Sequence, residues 1–212
     1  MAFATDRDLL VLEPSLFRQI AWTGQALVSL TDGVLAGTTL TSATGGFTGA
    51  GVDTGHVALV NGVALEVVAR VSDTQLTVSR LRDTTDDPAQ TTVLDGSSLE
   101  VKVWTFSPQI THVHEMLLGS LGVDPAGATA PHAGQIVNAP MLVRLEALGA
   151  MHLILSASGA ASPPGSELRE RIEIYRHRFG VARETTPVEL DTTGDGNTDT
   201  IRRFVTTPTS RI

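Results

Sequence analysis

The densest run of potential ligands in the chain is Asp191-Thr-Thr-Gly-Asp195-Gly-Asn197-Thr-Asp199. A calcium loop of the D-x-[DN]-x-[DN]-G kind needs oxygen ligands at its first, third and fifth positions. It also needs glycine at the sixth and a bidentate glutamate at the twelfth. The first, fifth and sixth positions match here. The third is Thr193, and the twelfth is Arg202, whose charge opposes an ion. The flanks read as strands, not as EF-hand helices. This favours a hairpin turn in which Gly and Asn take positive φ and Asp side chains accept backbone N–H bonds. Asp191, Asp195 and Asp199 stand behind that reading as the calcium candidates.

His112-x-His114-Glu115 is the second constellation, with metal or acid–base chemistry in view. On a helix, residues two apart point in well-separated directions, and zinc helices use an i,i+4 pair. No third ligand follows at a recognisable spacing, so an enzyme built on these three residues is the least favoured reading. His56, His132, His152 and His177 stand alone. A nucleophilic serine needs a strained G-x-S-x-G turn; Gly119-Ser-Leu-Gly122 and Ser156-Ala-Ser-Gly159 do not supply one. The run Gly45-Gly-Phe-Thr-Gly-Ala-Gly51 lacks the Lys-Ser/Thr end of a phosphate loop and leads into a strand. No catalytic set and no cofactor site emerges.

Composition narrows the classes further. The 212 residues hold 15 Lys+Arg against 23 Asp+Glu, a net charge of −8, with pI near 5.1. That balance argues against a general grip on nucleic acid, and 4% aromatics supply few stacking platforms. The absence of cysteine excludes disulfides, thiolate zinc sites and cysteine nucleophiles together. Arg169, Arg171, Arg176, Arg178 and Arg183 alternate with Glu167, Glu170, Glu173 and Glu184, which suits a solvated or protein-facing helix. The N-terminus has no basic region followed by an apolar one, so no secretory signal is expected. The most apolar stretch, 141–157, is broken by Arg144, Glu146 and His152 and falls short of the about 20 residues a membrane span needs. It reads as a buried helix, with no membrane partner.

These residues must be positioned by three zones. Residues 5–23 read as a docking helix, with Thr5 as N-cap, Asp6 and Asp8 at the positive end of the dipole, and Leu16, Phe17 and Ile20 on an apolar face. Residues 25–106 are β-rich, with about five short strands: 35–41, 56–60, 63–71, 76–81 and 99–106. Asn61-Gly62 is a strong type I′ hairpin signal. Phe47 and Val52 are expected to point inward, and Leu65, Val67, Ala69 and Val71 to share a face. The third zone has a helix beginning at Pro108 and a mobile loop at 124–134. After the helix at 141–157 comes one at 167–184, capped by Ser166 and carrying a seam of Leu168, Ile172, Tyr175, Phe179 and Ala182. A hairpin at 188–190 and 200–205 ends it. The whole reads as α+β. It is a helical bundle (1–24 and 107–185) with an inserted small antiparallel β-barrel or sandwich (25–106), then a C-terminal β-hairpin and tail (186–212).

The runs Phe47-Thr-Gly-Ala-Gly-Val-Asp-Thr-Gly-His-Val-Ala-Leu-Val60, Leu65-Glu-Val-Val68 and Asp73-Thr-Gln-Leu-Thr-Val78 resemble segments of tailed-phage virion proteins. The C-terminal half goes further. The apolar helix, the Gly/Pro break, Leu168-Arg-Glu-Arg-Ile-Glu-Ile-Tyr-Arg-His-Arg-Phe179, then Val188-Glu-Leu-Asp-Thr-Thr-Gly-Asp-Gly196 and Arg202-Arg203 resemble head–tail connector (adaptor) proteins. The resemblance implies a structural neck protein forming a homo-oligomeric ring, a dodecamer in that family, between the portal and the tail or stopper proteins. Genome DNA passes through the lumen unbound, and the ring assembles in the host cytoplasm and stays in the virion. The N-terminal segment, the 124–134 loop and the 206–212 tail are the candidate arms, the tail matching by position the portal-engaging tail of adaptors. The β zone is large for an insertion, which leaves a stopper or tail terminator as alternatives. A calcium- or carbohydrate-binding β module is the reading from a different class.

Overall fold

The computed structural model describes residues 2–204 apart from 93, 161 and 164, so the 206–212 tail lies outside the described residues. The chain divides into two compact units, one spanning Thr5–Phe106 and the other holding residues 2–4 together with the chain from Ser107 onward.

The first unit opens with two short helices, α1 (Asp6–Leu12) and α2 (Leu16–Gln19), and a 3-10 turn (Thr23–Gln25). Thr5 is the N-cap of α1, and the Asp8 carboxylate reaches back to accept from the Thr5 amide (2.8 Å) and hydroxyl (3.0 Å). Leu9, Leu10, Leu16 and Phe17 are buried, and Phe17 stacks at a tilt on Phe106 with centroids 5.2 Å apart. This helical segment therefore groups with the strands that follow it.

Six strands follow: β1 (Ala26–Ala36), β2 (Thr39–Ser42), β3 (Val57–Val60), β4 (Val63–Ser72), β5 (Gln75–Ser79) and β6 (Gly96–Trp104). They close into an antiparallel barrel in the order β1-β2-β5-β4-β3-β6. The β3–β4 turn is Asn61-Gly62 with φ of 47° and 78°, as the I′ signal requires. Where a single strand was expected over 35–41, Gly37 (φ 61°) makes a turn that joins β1 to β2. Register shifts on β4 between Val67 and Ala69 and between Arg70 and Ser72 break the expected face. Leu65 and Val67 enter the core while Val71 is 57% exposed. Phe47 and Val52 plug the barrel from the β2–β3 connection, fully buried, with the Val52 amide bonded to the Phe47 carbonyl at 2.9 Å.

The second unit holds α3 (Ser107–Ser120), a 3-10 turn (Ala133–Gln135), α4 (Ala139–Gly159), α5 (Glu167–Thr185) and a hairpin of β7 (Val188–Leu190) and β8 (Thr200–Arg202). Ser166 caps α5, its hydroxyl accepting from the Arg169 amide at 3.4 Å. α4 runs to 21 residues, two more at each end than expected. Among the described residues it is the one helix long and apolar enough to cross a membrane by length and composition, and over half of it is buried inside the protein. Gly149 on α4 sits where three helices meet: a Cβ there would lie 2.7 Å from Val113 on α3 and 2.9 Å from Phe179 on α5. The 124–134 loop, expected to be mobile, is closed by its own residues. The Asp124 carboxylate accepts from the amides of Ala126 (2.8 Å) and Thr129 (2.7 Å), and its amide bonds Pro131.

The fold class needs correction. The chain is α+β, but the closed six-stranded barrel is the main element, not an insertion into a helical bundle, and the described residues also form five helices and a separate two-stranded sheet. The physical reason lies in closure. Two bulged, long strands, β1 and β4, bend enough for β1 to pair with both β2 and β6, leaving no free edge that would need a helical host.

Candidate functional site

The calcium candidates lie on the β7–β8 turn, in which Gly194 and Gly196 take φ of 80° and 84°. Asp191 turns both carboxylate oxygens onto the turn's own backbone. One accepts from Gly194 (2.6 Å) and Thr193 (3.1 Å), the other from Gly196 (2.7 Å). A single Asp199 oxygen takes the amides of Thr192 and Thr193 (2.8 and 2.9 Å) and both hydroxyls at 3.0 Å. Asp195 accepts from Asn197 at 2.8 Å. The Gly196 amide on Asp191 and the Thr192 amide on Asp199 lead the causes that hold both carboxyls below the usual carboxylate range. Among the described residues no group of three or more His, Cys, Asp or Glu is placed to hold a metal ion. Arg202, in the position where a calcium loop needs glutamate, donates instead to the carbonyls of Leu121 and Gly122 (3.0 Å to the latter), closing the exposed C-terminal end of α3.

The same use of aspartate recurs across the chain. Asp32 accepts from the Ser42 hydroxyl (2.7 Å) and the Thr44 amide (2.8 Å), which lower its pKa to about 2. Asp73 accepts from Thr48 (2.8 Å) and Gly46 (3.1 Å) and is likewise lowered. These carboxylates fold loops.

His112, His114 and Glu115 are not brought together. His114 turns into the second unit, 2% exposed, with Nδ1 2.6 Å from Glu146 Oε1; His112 and Glu115 are exposed. The other Glu146 oxygen accepts the amides of Phe3 (2.8 Å) and Ala4 (3.0 Å), and the Phe3 ring meets His114 edge-on at 5.0 Å. Glu146 therefore ties residues 3–4 to the helices. The barrel unit has its counterpart in Glu66, 1% exposed, which accepts from Arg7 Nε (2.7 Å) and from Arg82 Nε and amide. Arg82 passes the order outward, its Nη1 donating to the carbonyls of Thr85 (2.8 Å) and Asp87 (2.5 Å). Asp6, also buried, accepts the Phe106 amide at 2.7 Å. Burial raises its pKa to about 7 against that bond and one from Thr105. Sequence reasoning missed these groups. The available signal was a single glutamate inside an apolar run, at Glu66 and again at Glu146.

Two surface features remain. One is a groove of about 450 Å³ between α3, α4 and α5, floored by Val113, Leu153 and Phe179. Its rim brings together His112, His152, Arg176, Arg183 and Glu184, and Arg176 is ion-paired with Glu173 at 2.5 Å. The other is a set of exposed apolar side chains: Ile174 and Val181 on α5, each 46% exposed, with Met116, Val137 and Met141 elsewhere in the second unit. The α5 seam expected from sequence faces α4, with Tyr175 buried and its other members half-buried, so Ile174 and Val181 belong to a second, outward face.

Comparison with family models, with curated proteins and with solved structures finds no match to this chain.

Proposed function

We propose that the protein is a structural subunit of a tailed-phage neck, a head–tail adaptor that assembles into a ring between the portal and the tail. The observation that carries this reading is α5. A 19-residue helix buries only Tyr175 outright and presents Ile174 and Val181 to the outside, an arrangement that repays a protein partner. The resemblance of the C-terminal half to adaptors supplies the class of partner. Buried charges that pair with one another, at Glu66 and Glu146, suit a framework. The net charge of −8 suits a lumen through which DNA passes without sticking. In this reading the protein is not an enzyme and needs no cofactor. It assembles in the host cytoplasm and is retained in the virion.

The test is particle composition together with imaging. Purified virions should contain the chain, and the protein mixed with its cognate portal should give rings by electron microscopy. Ring position then separates adaptor from stopper or tail terminator. A chain absent from particles, and monomeric with portal present, ends the proposal.

A further inference from the structure

The β3–β4 turn does more than reverse the chain. In the β3–β6 ladder Val60 stands opposite Val101, and the pairing runs one step further, to Asn61 and Glu100. The Asn61 amide donates to the Glu100 carbonyl at 2.8 Å, as a strand residue would. The return bond uses a side chain. The Glu100 amide donates to Asn61 Oδ1 at 2.8 Å, so the carboxamide stands in for a main-chain carbonyl. This seam bears on closure, because β6 pairs with both β1 and β3.

The same carboxamide is chemically labile. Asn61, Gly62 and Val63 are exposed, so water reaches the turn. Gly62 has no Cβ to shield its nitrogen, the nucleophile in succinimide formation. The other two asparagines of the chain are less open to that chemistry. Asn138 is held at both ends of its carboxamide, donating to the Pro187 carbonyl (2.9 Å) and accepting the Glu189 amide (3.0 Å). Asn197 precedes Thr198, whose branched Cβ crowds its own nitrogen.

We propose that Asn61 is a spontaneous deamidation site that the folded barrel guards, and that isoaspartate formed there breaks the β3–β6 seam. The Gly62 nitrogen attacks Asn61 Cγ, and its proton leaves with the side-chain nitrogen as ammonia. A five-membered succinimide has then closed, and water opens it. Cleavage of the new Cγ–N bond gives aspartate with the original main chain. Cleavage of the old peptide C–N bond gives isoaspartate, with the main chain running through Cβ and Cγ.

Two features of the fold hold back the first step. A type I′ turn sets ψ of its first central residue at about 30°, which puts the Gly62 nitrogen across the Cα–C bond from Cβ. Ring closure needs them on the same side. The Glu100 amide also holds Oδ1, so the carboxamide does not swing to meet the nitrogen. Reaction therefore waits on local opening of the turn. The two products then differ in effect. Aspartate at position 61 still accepts the Glu100 amide. Isoaspartate lengthens the main chain by a methylene, and the φ pair of 47° and 78° and the Val60–Val63 register are lost with it.

The test ages the intact protein, and the same chain unfolded in urea, at mildly alkaline pH. Peptide mass spectrometry with an isoaspartyl methyltransferase assay follows each asparagine. In the folded protein Asn61 should convert first of the three, about tenfold more slowly than in the unfolded chain. Urea below the unfolding transition should speed it in step with hydrogen exchange at the Glu100 amide. Asn61→Asp should melt close to wild type. The isoaspartate fraction, resolved chromatographically, should melt several degrees lower and exchange the Glu100 amide about tenfold faster. Equal rates in folded and unfolded chains, or Asn138 or Asn197 converting first, overturn the inference. So does isoaspartate at position 61 with wild-type melting and wild-type protection at Glu100.

Discussion

At the scale of single residues, the charged groups that matter most are the hidden ones. Glu146 accepts two backbone amides and partners His114, all out of water. Glu146→Gln should destabilise the second unit by about 3 kcal/mol, read as a lower urea midpoint in the 222 nm signal. Asp6 has its folded pKa raised above the unfolded value, so its contribution to stability is full below about pH 4 and is lost as pH rises through about 7. Wild type should lose stability between pH 5.5 and 8 relative to Asp6→Asn, by about 2 kcal/mol at most. Denaturant midpoints of the two proteins at both pH values check this; parallel curves would refute it. The Asp191–Asp199 turn already satisfies itself, so millimolar calcium should leave the melting temperature unchanged; a clear upward shift would revive the ion site. Little of this was legible in the sequence. Glu66 and Glu146 each read as a polar interruption, because the arginines, histidine and amides that pair with them lie far away along the chain.

At the scale of elements, local signals served where the deciding contacts are local. Asn61-Gly62 turns where expected because only its own two φ angles are at stake, and Ser166 caps α5 for a similarly local reason. The run from Leu35 to Thr41 misled, since β-formers on both sides of Gly37 look continuous until the pairing of β2 with β1 and β5 bends the chain. Ala69 and Val71 left the expected face because bulges have no composition of their own. Packing at close approach gives the sharpest element-level test. Gly149→Ala should push α3 and α5 off α4 and cost about 1–3 kcal/mol, although alanine is the better helix former. A variant as stable as wild type would show that Val113 and Phe179 can yield there.

At the scale of the molecule, two units with separate buried charge clusters should respond separately. Trp22 and Trp104, the two tryptophans, both lie within Thr5–Phe106, whereas the long helices lie in the other unit. Glu66→Gln should therefore shift the tryptophan fluorescence transition, and Glu146→Gln the helical signal at 222 nm. Equal shifts in both probes from either variant would show one cooperative whole.

The sequence by itself determined what depends on neighbours along the chain. It placed the β-rich and helical zones, the hairpin at residues 61–62 and the caps, and it favoured a self-bonded turn at 191–199 over an ion site. Tertiary structure alone decided that the strands close on themselves and that Thr5–Gln19 packs with them. It also decided that His114 goes inward to Glu146 while His112 stays on the rim of a groove. The physical reason is range. Turns and caps are settled within a few residues, whereas barrel closure and the pairings of Glu66 with Arg7 and of Glu146 with His114 join residues 30 to 80 positions apart, and no local pattern encodes such pairings.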